Sequence, residues 1–184
     1  NTEVQKQPAP IIRQREGLVR KIVPKAICRV RKDMDSWRHA LRQADCVDRP
    51  RRRLLMDLYA DVMLDALLTS QIEQRIGRTM SAEFSLKDTT GKVDEESTRV
   101  LSEAVWFPLL LRYMLESVFY GHSLVEFSAS EVSGLEVTLI PRQNVVPEEG
   151  LFLFDSTADD GVYYRDMREY GTYVLEFGSP RNYG

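Results

Sequence analysis

Asp57, Asp61 and Asp65 follow one another at intervals of four, a spacing that sets three carboxylates on one face of a helix. Three such groups could hold a hard cation. Calcium, however, takes about six to eight oxygens, and no histidine or further oxygen ligand lies close in sequence. The plainer reading is a solvated face with Arg53 paired to Asp57 at i+4, worth about 0.3 kcal/mol. A contact surface for a basic neighbour is the other. Arg49, Arg51, Arg52 and Arg53 make the sharpest basic cluster. They open the helix that carries the aspartates, where positive charge opposes the helix dipole. Phosphates or a neighbouring acidic surface would offset that. The cluster has no interleaved aromatics on which bases could stack. Contact with an adjacent subunit, or a plain solvated surface, therefore stands ahead of direct DNA contact.

His39 and His122 are the two histidines. His122 is followed by Ser123, but adjacent strand residues point to opposite faces, so the two do not form a nucleophile–base pair. His122 reads as a turn or core-edge residue. No Gly-x-Ser-x-Gly elbow, Gly-x-x-x-x-Gly-Lys loop or Gly-x-Gly-x-x-Gly turn is present, which excludes a P-loop ATPase. The acidic turn Glu148-Glu149-Gly150 and the loop from Asp155 to Gly161 lack EF-hand spacing. Cys28 and Cys46 read as free thiols of a reducing compartment. The residues thus predict no catalytic, metal or cofactor site and no enzyme.

These side chains need a body to position them, and 184 residues with 43% hydrophobic and 29% charged content suffice for one domain with a core. The longest strongly apolar run, Val105 to Leu111, falls far short of the roughly 20 residues of a membrane span. Residues 1–10 show no secretory signal. The net charge of −3 is uneven: residues 1–53 hold 15 Lys and Arg against 6 Asp and Glu, and the rest hold 10 against 22. A basic arm on an acidic body suits nucleic-acid contact or an acidic neighbouring subunit.

Pro8, Pro10 and Pro24 break up residues 1–32, which read as an arm with a short strand at Val23–Val30. A helix is predicted over Asp35–Ala44, then a long one over Pro50–Met80 with Asp48 as N-cap. Ala82–Lys87 alternates as a strand and Asp88–Lys92 is turn chemistry. A second long helix spans Asp94–Tyr120, with Pro108 inside to kink or split it. Gly121 is the expected C′ residue. Strands are predicted at Leu124–Phe127, Leu135–Ile140, Leu151–Phe154, Gly161–Arg165 and Tyr173–Phe177. Trp106, Phe107, Tyr163, Tyr164, Tyr170 and Tyr173 read as core. Helices first and strands after predict an α+β fold: two long helices packed on a mainly antiparallel sheet of short strands. The division is a basic arm with a short helix over 1–48 and a body over 49–184.

The order of local patterns resembles the Mu-like portal proteins of tailed phages. A helix with Asp65 and Ile72-Glu73-Gln74-Arg75 leads towards a strand. A second helix ends at Tyr120-Gly121 before Val125-Glu126, and Pro141-Arg142 and Pro147 to Gly150 follow. The resemblance implies the wing of a portal subunit, from a dodecameric ring at the capsid vertex of the virion. Its implied partners are the terminase large subunit, capsid and head–tail adaptor proteins, and double-stranded DNA in passage, with no membrane. It also implies stem and channel helices after the last strand, so the chain reads as an N-terminal piece. On this reading Arg49, Arg51, Arg52, Arg53, Asp57, Asp61 and Asp65 are subunit-contact residues. The alternative is a nucleic-acid-binding protein that uses the basic arm.

Overall fold

The structure, a computed structural model, describes residues 17–23, 34–130, 134–181 and 183. Among these residues, five α-helices and two small antiparallel sheets make an α+β fold. The helices are α1 (Met34–Ala44), α2 (Arg53–Val62), α3 (Ala66–Met80), α4 (Glu95–Glu103) and α5 (Phe107–Tyr120). One sheet has the order β2-β1-β6, from β1 (His122–Ser130), β2 (Gly134–Leu139) and β6 (Val174–Gly178). The other has the order β3-β4-β5, from β3 (Val145–Val146), β4 (Leu151–Leu153) and β5 (Gly161–Tyr163).

Five helices stand where two long ones were expected alongside the short α1. The first long helix breaks at Leu64 and Asp65. Asp65 leaves helical geometry with ψ at 111° and its carboxylate accepts from the Leu68 N–H, starting α3 afresh. Its start also differs. Asp48 caps nothing; Arg51 N–H bonds back to the Gln43 carbonyl at 3.1 Å, and α2 begins only at Arg53. In the second, Asp94 caps α4 by accepting from Ser97 N–H and Oγ. Pro108 then sits in the first turn of α5, where its missing N–H is no loss. Gly121 ends α5 with φ at 78°, as its type requires.

β1 is the centre of the molecule. Its residues alternate between two faces and both are covered, so His122 to Phe127 are buried without a break. Val125 and Phe127 face α5 and pack with Trp106, Leu110 and Tyr113. Leu124 faces the second sheet and packs with Ile140, Val145, Phe152, Tyr164 and Val174. Leu18, in a 3-10 turn at Leu18–Lys21, completes that cluster. A piece of the predicted arm is therefore built into the core. A third cluster joins Ala40 and Ala44 of α1 to Leu55 and Leu58 of α2.

Two further expectations are corrected. Ala82–Lys87 forms no strand; a single bridge pairs Lys87 with Val93. Of the aromatic set read as core, Tyr164 is fully buried, while Tyr163, Tyr170 and Tyr173 are 55%, 37% and 52% exposed. Trp106 and Phe107 are half-buried. The predicted strand Val23–Val30 lies outside the described residues apart from Val23, which bonds the Phe154 carbonyl at 2.9 Å. Cys28 lies outside them too, and Cys46 is a free, exposed thiol.

Candidate functional site

The three aspartates do not share one solvated face. Asp57 is buried in α2, Asp61 is half-buried with Oδ2 lacking a hydrogen bond, and Asp65 is exposed as the N-cap of α3. The break between α2 and α3 carries Asp65 away from the other two. Among the described residues no three His, Cys, Asp or Glu side chains stand close enough to hold a metal ion.

The arginines divide as well. Arg52 is buried, donating from Nε and Nη2 to Glu148 Oε1 at 3.1 and 2.7 Å and from Nη2 to the Pro180 carbonyl at 2.6 Å. The Tyr183 ring lies 4.9 Å from its guanidinium carbon, and Tyr183 Oη donates to Asp45. Arg52 and Asp45 thereby hold Pro180 and Tyr183 against the α1–α2 pair. Arg49 and Arg51 both pair with Asp159, the latter at 2.5 Å. Arg53 makes no ion pair among the described residues. None of the four pairs with Asp61 or Asp65, and the expected pair of Arg53 with Asp57 does not form.

Two charged networks were not foreseen. Glu176 on β6 accepts from His122 Nε2 at 3.1 Å, Tyr164 Oη at 2.8 Å, Tyr170 Oη at 3.0 Å and both Nε and Nη2 of Arg165. Burial alone would raise its pKa, but the four partners outweigh burial and hold the carboxyl well below its ordinary range. The same carboxylate pushes up the Tyr164 hydroxyl, after burial, and strengthens the charge on Arg165. His122 is pushed below its ordinary value because burial outweighs the hydrogen bond that it makes to Glu176.

The second network runs through α5. Arg112 bridges Glu73 of α3 and Glu116 one turn along its own helix. Glu116 in turn accepts from Arg142 Nη2 at 2.9 Å. Arg142 also reaches Ser123 Oγ and the His122 carbonyl, and its guanidinium stacks 4.0 Å above the Tyr120 ring. Arg142 stood out in the sequence within Pro141-Arg142, but its partners lie nineteen to twenty-six residues away and left no local mark.

These networks tie β1 to β6 and, through Arg142, to α5, which Arg112 joins to α3. The arrangement braces an α+β fold from both faces of β1. Residues 56–179 match the family described as portal protein of Mu bacteriophage, from within α2 to just past β6, and the chain belongs to that family. The family is structural and assembles as an oligomer in the phage head, which places its members in the virion. No curated protein and no solved structure matches the chain. Among the described residues no helix is long and apolar enough to cross a membrane.

Proposed function

We propose that this chain forms the wing and outer body of a phage or prophage portal subunit, in a ring that is dodecameric in the full-length protein. The ring conducts double-stranded DNA into the capsid during packaging and out of it during ejection. It docks the terminase large subunit first and head–tail adaptor proteins later. The family match over residues 56–179 carries this reading.

Two physical features support it. The chain beyond residue 53 is acidic, 10 Lys and Arg against 22 Asp and Glu, and repels phosphate so that a duplex slides past it. Val100, Val105, Leu109, Met114 and Val118 are exposed on and between α4 and α5, apolar side chains that neighbouring subunits can cover. The basic residues up to Arg53, the buried Arg52 apart, reach the neighbour's acidic surface, where Asp65 is exposed.

Electron microscopy and solution mass of the full-length protein test this. Closed rings of about a dozen copies support it, at a size consistent with closed cyclic symmetry. A monomer that binds DNA with a steep salt dependence would replace it with the nucleic-acid-binding reading.

A further inference from the structure

A cavity of about 410 Å³ opens beside the N-terminus of α2, lined by Arg49, Arg51, Arg53, Leu54, Ser156 and Asp159 among others. Three guanidinium groups there face a single carboxylate, Asp159, which pairs with Arg49 and Arg51. Arg53 is left over, and the formal balance of three cations against one anion is +2. Such a concentration of positive charge in a cleft draws an anion to it.

Two independent observations point the same way. Ser156 is 4% exposed, and its Oγ is buried without a hydrogen-bond partner, although a buried hydroxyl is normally satisfied. Moreover, α2 opens with no side-chain cap and no acidic residue in its first turn. The N–H groups of that turn, Leu54 among them, lack the acceptor that helix starts usually find.

We propose that this cavity binds a phosphate dianion, offered as inorganic phosphate or as a terminal phosphomonoester. Guanidinium forks, one hydroxyl and a helix start converge from α2, from the segment before it and from the loop after β4. A tetrahedral group with several acceptor oxygens meets such a set, whereas a planar carboxylate has two oxygens. A dianion cancels the surplus charge, and the single charge of a phosphodiester does not. The volume exceeds that of a bare phosphate, given about 30 Å³ for a water molecule, and leaves room for the group that carries it. This assignment does not rest on the portal reading: rings can form without phosphate binding, and phosphate can bind without rings.

Amide spectra of the 184-residue chain test it, titrated with sodium phosphate, adenosine monophosphate, hexaglutamate or sodium chloride at equal ionic strength. Phosphate or the monophosphate should shift Leu54, Ser156 and Thr157 beyond the effect of chloride. Tighter binding of the monophosphate identifies a phosphomonoester, and equal binding identifies free phosphate. Arg53→Gln and Ser156→Ala should each weaken binding about tenfold, the worth of a hydrogen bond to a charged group. Neither change removes a bond among the described residues, so unchanged signals elsewhere will confirm the fold. Phosphate shifts equal to those of chloride, or variants that bind as the parent does, overturn the proposal. Preference for hexaglutamate also overturns it and gives the cavity to an acidic peptide.

Discussion

His122 Nε2 stands 3.1 Å from Glu176 Oε1 across the β1–β6 pair, with the two side chains only 4% and 11% exposed. Their register makes the contact diagonal, since His122 lies opposite Gly178 and Leu124 opposite Glu176. Both groups have folded-state pKa values below their ordinary ones. The unfolded chain therefore takes up protons first as pH falls, and stability falls with it. The His122 contribution is present above its ordinary 6.5 and is lost as pH drops from there through the folded value. The Glu176 contribution is lost from its ordinary 4.5 downward. Urea midpoints from pH 8 to pH 2 should fall in these two stages, and His122→Asn should remove the first.

Removing the carboxylate should cost more than removing any one donor. Glu176→Ala leaves Arg165 and three polar groups without their shared acceptor, for a loss of about 3 kcal/mol. Tyr170→Phe, at a half-exposed rim position, should cost under about 1 kcal/mol. Equal losses in urea unfolding would contradict the hub role of Glu176.

Gly178 and Gly171 separate backbone strain from collision. Both have positive φ, 95° and 80°, but a Cβ on Gly178 would lie 2.3 Å from the Gly121 carbonyl oxygen, while on Gly171 it meets nothing within 4 Å. Gly171→Ala should cost about 1 kcal/mol from conformation alone. Gly178→Ala should cost at least about twice that, because backbone must move at the β1–β6 pair. Thermal unfolding of the two variants measures the difference.

Asp65 offers a test of capping against surface charge. Asp65→Ala should destabilise by about 1 kcal/mol through loss of the bond to Leu68 N–H, and Asp65→Asn should be nearly neutral. A loss shared by both variants in chemical denaturation would mean that charge, not capping, is what counts there.

Val105→Glu with Val118→Glu addresses the assembly. These side chains are 82% and 74% exposed, so the folded monomer should change by less than about 0.5 kcal/mol. In the full-length protein the same pair should shift mass from rings to monomers. Intact rings would remove the α4–α5 face from the subunit contact.

Local chemistry was legible where one residue decides it. Gly121, the Asp88 turn and the later strands reappear in the structure, and Pro108 falls at the division of the second long helix. The break at Asp65 was hidden because Leu58, Val62, Ala66 and Thr69 keep helical spacing straight across it. An exposed aspartate there reads equally as surface or as cap. Arg52 was counted with its neighbours, although its partner Glu148 is 96 residues away, beyond the reach of any pattern read along the chain. The two-residue β3 is likewise too short for periodicity to register.

The position of β1 between β2 and β6 has a consequence for synthesis on the ribosome. Its hairpin with β2 can close once residue 139 has emerged, but its other edge stays open until residue 178 follows. Throughout that interval the nascent chain presents an unpaired edge that carries Leu124, Val125 and Phe127, a form of backbone prone to join a stranger's strand. Late closure by β6 therefore sets the window in which a chaperone, or crowding by sister chains, decides between folded product and aggregate.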